Sequence, residues 1–526
     1  MRAPASPLIL AIDLGTTACK VALVTPQGRI VAHVRETDAT PTRFLPGGGA
    51  EQNPRDWWSV ITRLVRRVLN ELPEAQQQVV AIACSTHWSG TVAVDPKGEP
   101  LHPAIIWMDT RGAPYVREIT GGFPSMEGYG LHRLFWWIRL TGGIPTHSGK
   151  DPIAHILFLK HEKPEVYRAA YKFLEPKDYL NLRLTGRFAS DYATIVLHWV
   201  TDNRRIDHVD YHPRLLQMAG LEREKLPDLY PTTHVLGPLL PEPAEELGLQ
   251  PGIPVVMGTP DVQAPALGSG AVRDYEPHIY IGTSSWLTCH VPFKKTDLFH
   301  NMASLPAAVP GRYFIANEQE TAGASLTFLR DAFFYGEDPL GSCPAPENAY
   351  ARMDALAAQA PPGARGVTFF PWLYGERTPV EDPDIRGGFL GLSLGVGRAE
   401  VARAVLEGVA LNLRWLLGYV EKFAGRRFET IRFIGGGARS DLWSQILADV
   451  LDRPIAQVEE PDLAGVRGVA LLAGLALGMT RLEDVAAHVP VKAVYSPNPR
   501  HRRVYEEKFR AFLDAYRRLK GWYSKG

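Results

Sequence analysis

Cysteine is scarce in this sequence: Cys19, Cys84, Cys289 and Cys343 are the only four, they lie far apart, and no C-x-x-C pair occurs. That excludes a disulfide framework and a thiolate zinc cluster, and it suits a reducing cytoplasm. A surplus of charge is lacking as well, since Lys plus Arg and Asp plus Glu number 57 each. No global field therefore recruits nucleic acid or an acidic membrane, and an anionic ligand must be held by local geometry. Long apolar runs are missing too. The longest small-apolar stretch, "GVALLAGLALGM" at 468–479, is too short to span a bilayer and reads as a buried helix. The N-terminal residues, one Arg and then Pro and Ser, do not make a signal peptide. Nor does G-x-x-x-x-G-K-[ST] occur anywhere, so phosphate binding by a P-loop is excluded. What remains is the expectation of a soluble cytoplasmic protein, and 526 residues, 45% of them hydrophobic, call for two domains.

The apolar residues that are present are ordered by period. Residues 8–12, 21–24 and 30–34 are short runs of Ile, Val, Leu and Ala separated by "DLGTT" and "PQG", the pattern of a three-stranded antiparallel meander. In "NPRDWWSVITRLVRRVLNEL" (53–72) the period changes, with Trp57, Val60, Ile61, Leu64, Val65 and Val68 on one helical face and arginines on the other. "VVAIACS" (79–85) returns to strand, which gives an α/β plan with a mixed sheet. Half a chain away, "HIYIGTSSWLTCHV" (278–291) is again strand, Gly-Thr-Ser, strand. Gly15 and Gly282 are 267 positions apart, so the two halves begin with the same unit and point to duplication. Helices are expected at 317–335, 398–423 and 440–451, with a strand at 430–437 before the last. The Pro- and Gly-rich stretch 241–256 places the domain boundary near 270. Residues 116–150 read as an insertion whose Phe135, Trp136, Trp137 and Ile138 form either an exposed contact surface or a buried packing helix.

"DLGTT" runs into another strand rather than a helix, so any grip on phosphate differs from a helix N-terminus. Gly15 permits close backbone approach, and the amides and hydroxyls of Thr16 and Thr17 are donors for phosphate oxygens. Asp13 is placed to hold Mg2+ directly or through water, and Lys20 offers a movable positive charge. A solvated hairpin with Asp as turn former is the competing account. The second turn keeps Gly282, Thr283 and Ser284 but has Tyr280 in place of Asp13. Two donor-rich turns, one with a carboxylate, fit a nucleotide clamped between two domains with the metal on one side.

Across nearly its whole length the chain resembles the FGGY carbohydrate kinases, relatives of hexokinase, actin and the heat-shock chaperones. The strongest segment is "GGFLGLSLGVGRAEVARAVLEG" (387–408), where Gly387-x-Phe389-x-Gly391-Leu392, Glu400-Val401 and Ala404-Val405-Leu406-Glu407 satisfy the family's C-terminal signature. "YGERTPVEDPDIRGGFLG", "PKDYLNLRLTGRFASD" (176–191) and "FIGGGARSDLWSQILADVL" (433–451) match the xylulokinase branch. The resemblance implies two ribonuclease-H-like domains, 1–270 and 271–526, with an ATP and sugar cleft between them. It makes Asp261 of "GTPDVQAPALGSG" (258–270) the general base, beside Asp13 at the metal. Phosphoryl transfer to an alcohol calls for such a carboxylate and for Mg2+. The family uses the "FIGGGARSD" turn for adenosine. Gly436 and Gly437 would then lie against the base with Ser440 or Asp441 at its edge; a strand-to-helix turn with Ser440 as N-cap is the alternative.

Departures from the family pattern fall on the acceptor side. His87-Trp88-Ser89-Gly90 replaces the Gln-Met-His-Gly of xylulokinases, and strand alternation would turn His87 and Ser89 toward one pocket. Asp261 is followed by Val262 and Gln263 rather than by Asn or Gln, and the usual Lys and Trp of the N-terminal signature are His155 and Phe158. Trp107, in "IIWMDTR", and Trp286 are candidate sugar walls or core residues, and Asp109 and Arg111 a structural pair. The implied activity is an ATP- and Mg2+-dependent kinase, nearest to xylulokinases, phosphorylating a primary hydroxyl of a ketopentose or related polyol. Ribulose, erythritol, gluconate or glycerol as acceptor, and a non-catalytic nucleotide-switched protein, are the alternatives. No nucleic acid or membrane partner is expected; a homodimer is compatible with the sequence, which fixes no oligomeric state.

Overall fold

In the computed structural model, which describes residues 6–339 and 341–523, the alternation read from the first residues becomes a meander of β1 (Leu8–Leu14), β2 (Ala18–Val24) and β3 (Ile30–Thr37). The helix α1 (Pro54–Glu71) starts where Asn53 accepts a hydrogen bond from the Arg55 N–H at 3.2 Å, and it buries the six apolar residues expected to face the sheet. β4 (Val79–Thr86) then runs parallel to β1. β5 (Val235–Pro238) and β6 (Pro254–Val256) complete a mixed sheet in the order β5-β6-β4-β1-β2-β3, in which β1, β4 and β6 are parallel. Between β4 and β5, α2 (Leu131–Thr141) settles the insertion question. Trp137 is fully buried and donates its indole N–H to the Trp199 carbonyl, while Phe135 is 53% exposed.

The second sheet repeats the plan. β7 (Pro277–Ile281) and β8 (Ser285–Val291) form a hairpin like β1 and β2. β9 (Thr296–Asp297), β10 (Met302–Pro306) and β11 (Tyr313–Ala316) extend it, and β12 (Ile431–Ile434) pairs parallel to β7 as β4 does to β1. With β13 (Ile455–Val458) and β14 (Val491–Tyr495) the order is β9-β10-β11-β8-β7-β12-β13-β14. The expected helix at 317–335 is shorter than its apolar pattern suggested. Ser285 and Gln319 exchange backbone hydrogen bonds of 3.2 and 2.8 Å, which keeps the chain extended until helix Gly323–Leu329 begins.

Four further helices complete the two halves. α3 (Ala264–Ser269) follows β6, and α4 (Arg398–Ala424) is buried in the core of the second sheet. α5 (Asp441–Leu451) follows β12, and α6 (Ala464–Ala476) is the buried helix expected from the small-apolar run. α6 crosses α3 with almost no space between backbones. A Cβ at Gly268 would lie 1.8 Å from the Ala464 carbonyl oxygen, and one at Gly468 would lie 1.7 Å from that of Ala264. Beyond the crossing, Val466, Val469, Ala470 and Ala473 of α6 pack on Ile9, Ala11, Val24 and Ala83 of the first sheet. A helix from the last third of the chain thus completes the core of the first domain. The insertion in turn reaches the second half, where Lys294 Nζ donates to the carbonyls of Ile138 and Arg139, and the Tyr313 hydroxyl of β11 donates to the Asn203 carbonyl of the first half. The four cysteines are unpaired, three of them buried. Among the described residues no helix is long and apolar enough to cross a membrane.

Candidate active site

Parallel strands of an open α/β sheet end at one edge, and ligands bind outside those carboxyl ends. Here β1, β4 and β6 deliver Asp13, the 87–90 segment and the Asp261 loop to that edge. The loop passes hard against β4: Gly258 has φ +77°, and a Cβ there would fall 2.0 Å from the Cys84 carbonyl oxygen. Glycine is required for both reasons. Three residues on, the Asp261 N–H donates to the Thr86 carbonyl at 2.9 Å, which fixes the aspartate beside the end of β1. The Asp261 carboxyl is half-buried. Burial first, and then the negative charge of Asp13, push its pKa up to about 8, against the pull of Lys20 and of the Trp88 N–H.

Asp13 pairs directly across the hairpin with Lys20, whose Nζ lies 3.1 Å from Oδ2. α6 backs it so closely that a Cβ at Gly465 would sit 2.6 Å from the same oxygen. The turn itself is closed by the Gly15 N–H on the Ala18 carbonyl at 2.9 Å, and Thr17 is exposed. Thr16 Oγ1 accepts the indole N–H of Trp107 at 2.9 Å, which ties this turn to the Trp107 ring. The second turn closes with the Gly282 N–H on the Ser284 carbonyl and leaves Thr283 exposed. At the third turn, Gly435 (φ +86°) and Gly437 press against Ile281, whereas a Cβ at Gly436 would meet nothing within 4 Å. The backbone at Gly436 therefore faces open space.

Several residues expected to touch ligand have other partners. His87 and Ser89 do not share a pocket, because β4 ends at Thr86 and Ser89 sits at φ +64°, so strand alternation stops. His87 is 1% exposed with its ring against the edge of Trp57, and burial lowers its pKa to about 4, which leaves a neutral imidazole in the core. The Ser89 hydroxyl donates to the Lys150 carbonyl at 2.7 Å. Trp88 donates its indole N–H to the Thr194 carbonyl. Both ends of the Gln263 amide are taken, by the Pro306 carbonyl at 3.1 Å and the Ala308 N–H at 2.5 Å, so it straps α3 to the chain after β10. Trp286 is enclosed by Tyr280, stacked at 4.0 Å, and by His278, which accepts its N–H. It packs beneath the second turn. Ser440 caps α5 through the Trp443 N–H, and Asp441 is held by Lys492 and Gln457. Asp109 and Arg111 do pair, with Glu51 joining them, and Arg111 lies 4.3 Å over the ring of Phe158.

Lys150, Glu318 and Glu320 lie in no motif, and Arg377 lies in "YGERTPVEDPDIRGGFLG" without a role of its own there. Arg377 binds both glutamates, and Glu318 adds to the charge felt by Asp261. The signal for the glutamates was faint, two of them spaced by two in "FIANEQE". No cluster of three or more His, Cys, Asp or Glu is arranged to hold an ion among the described residues. A pair of carboxylates, Asp13 and Asp261, lies at one edge, and that suits a divalent ion carried on nucleotide phosphates, which takes only one or two from the protein.

Residues 8–268 match the N-terminal domain, and residues 278–477 the C-terminal domain, of the FGGY family of carbohydrate kinases. The chain belongs to that family. This FGGY kinase is 31% identical to xylulose kinase of Escherichia coli (strain K12), over 97% of its own length and 99% of that protein. It is 26% identical to gluconokinase of Bacillus subtilis (strain 168), over 98% of its length and 97% of the relative. The structure of gluconate kinase from Lactobacillus acidophilus superposes with a TM-score of 0.83 at 25% identity, covering 99% of each chain. The kinase is accordingly an ATP-dependent sugar phosphotransferase with two domains of the actin-like ATPase fold.

Proposed function

We propose that this kinase phosphorylates a primary hydroxyl of a ketopentose resembling D-xylulose, or of a related polyol, with Asp261 as general base and Mg2+ as the metal. The observation that carries the reading is the arrival of Asp261 and Asp13 at one sheet edge: the Asp261 N–H is held by Thr86 of β4, which pairs with Leu14 next to Asp13 on β1, and the Asp13 charge helps raise the Asp261 pKa. Bound Mg-ATP supplies the transferable phosphoryl group and the cation that offsets its charge. Asp261 accepts the proton of the attacking hydroxyl. Asp13 holds the metal side, and Thr16, Thr17, Thr283 and Ser284 present amides and hydroxyls to phosphate oxygens from the two turns. The open face of Gly436 receives the nucleoside, with Gly437 packed on Ile281 beside it, and Trp107 walls the acceptor while its N–H steadies Thr16. Movement about the α3–α6 crossing brings the turns together and excludes water, the competing acceptor.

A coupled ADP-release assay with ketopentoses, pentitols, erythritol, glycerol and sugar acids tests this. Sugar-dependent ADP release with a primary phosphate ester in the product is the expected result. ATP consumption that no acceptor stimulates would contradict it.

A further inference from the structure

The chain from Thr86 to Gly90 holds Asp261 at two points: the Thr86 carbonyl accepts its N–H, and the Trp88 N–H acts on its carboxyl. Beyond those contacts the same chain is braced twice toward one turn, Ile195–His198. The Trp88 indole N–H donates at 2.9 Å to the carbonyl of Thr194, the residue before that turn. The Gly90 N–H donates to Glu175 Oε2, also at 2.9 Å, and a Cβ at Gly90 would fall 2.6 Å from the Pro176 side chain. The second brace stops one bond short. Glu175 Oε1 and His198 Nδ1 are 3.9 Å apart, both side chains are 1% exposed, and among the described residues neither atom has a hydrogen-bond partner.

A buried polar atom left unpaired is unfavourable, and these two can satisfy each other. The surrounding charges decide in which form. Lys177 already faces two carboxylates, Asp178 at 2.6 Å and Asp191 at 2.9 Å, so a third negative charge here would lack a partner. Burial, with Asp178 and Asp191 behind it, holds the Glu175 pKa well above the ordinary carboxylate range, against the pull of the Gly90 N–H and of Lys177. Burial, with His155 nearby, lowers that of His198 to about 3, so the imidazole is neutral. We propose that Glu175 is a positioning residue: as a neutral carboxylic acid it accepts the Gly90 N–H on one oxygen and donates a hydrogen bond to His198 Nδ1 from the other, closing a brace that keeps Trp88 on Asp261. A relative shift of about 1 Å brings the two atoms to hydrogen-bond distance. Glu175 acts only through the backbone it holds. This rests on the kinase reading above, in which Asp261 meets the acceptor.

The test compares wild type with Glu175→Gln and Glu175→Leu, using the acceptor that gives the highest rate in the ADP-release panel. ATP affinity, thermal unfolding and infrared spectra at neutral pH are recorded on the same samples. Wild type minus Glu175→Gln should show the C=O band of a protonated carboxyl. Glu175→Leu should lower kcat by about 10²-fold, the scale for a misplacement of 1 Å near the chemistry, with ATP affinity retained. Glu175→Gln keeps an acceptor for Gly90 and a donor for His198, and should restore most of kcat. Absence of the band, wild-type kcat in Glu175→Leu, or equal losses in both variants would overturn the proposal and leave the kinase reading standing. Should Glu175→Leu fail to fold, Glu175→Gln decides: kcat near wild type with the band lost supports the brace, and a large loss of kcat overturns it. If no acceptor elicits ADP from wild type, the kinase reading falls and the positioning role with it, while the band still reports on the neutral acid.

Discussion

The two hairpins repeat one plan but differ in how the turn closes, Gly15 N–H to Ala18 against Gly282 N–H to Ser284, and in a cross-strand pair beside it. In the first, Asp13 faces Lys20 and the two form an ion pair; at the same register position of the second, Tyr280 faces Trp286 and the two rings stack. The ion pair lies at the cleft edge beside Asp261, where charge can be redistributed when phosphates and a cation arrive. The stacked pair has nothing to titrate in that role, and Tyr280 packs on the apolar cluster that includes Ile434 and Leu471. A repeated unit has thus been divided between a chemical turn and a supporting one, with the glycines and hydroxyls kept in both.

The sharpest way to break this comparison is to neutralise each pair in turn. Asp13→Asn should lower apparent Mg2+ affinity by about 10–100-fold, the usual scale for a residue that orients a metal, while Tyr280→Phe should leave it unchanged. Equal effects in Mg2+ titrations of activity would dissolve the distinction. A pH profile sharpens it further. Asp261 must lose its proton before it can accept one, so kcat/KM at subsaturating nucleotide and sugar should rise tenfold per pH unit and level off only near its raised pKa of about 8. Lys20→Met removes the positive charge that favours the ionised form and should move that limb to still higher pH.

Effects on stability should be smaller and should fall on the supporting parts. Gly468→Ala places a methyl against the α3 backbone and should destabilise by about 1–3 kcal/mol or more in urea unfolding. Gly436→Ala meets no neighbour and should weaken nucleotide binding without changing the unfolding midpoint. Trp286→Leu should lose about 0.5–1.5 kcal/mol of ring stacking and leave acceptor KM as it was. A large KM change would restore Trp286 to the sugar site.

Both hairpins, α1, the strand before α5 and the buried α6 were legible because each declares itself within a few residues, through period, caps and turn glycines. Contacts between distant segments were not. That α6 would close the first sheet follows from Gly268 and Gly468 meeting across 200 positions, and small residues signal close approach without naming the partner. Gln263 kept its polar amide, but its partners at 306 and 308 come from another sheet. His87 and Ser89 were misread because alternation was carried past the strand end into a residue at positive φ. Glu175 precedes the matching segment that begins at Pro176 and had no motif at all. What marks it is an oxygen without a partner, which only the folded arrangement reveals.

The account stands on Asp261 as the proton acceptor, and one comparison addresses it: acceptor-dependent ADP release by Asp261→Asn against wild type, with ATP affinity measured on the same samples. A fall in kcat of about 10²–10⁴-fold with ATP affinity retained is the predicted result. Turnover near the wild-type rate in the folded variant would contradict it.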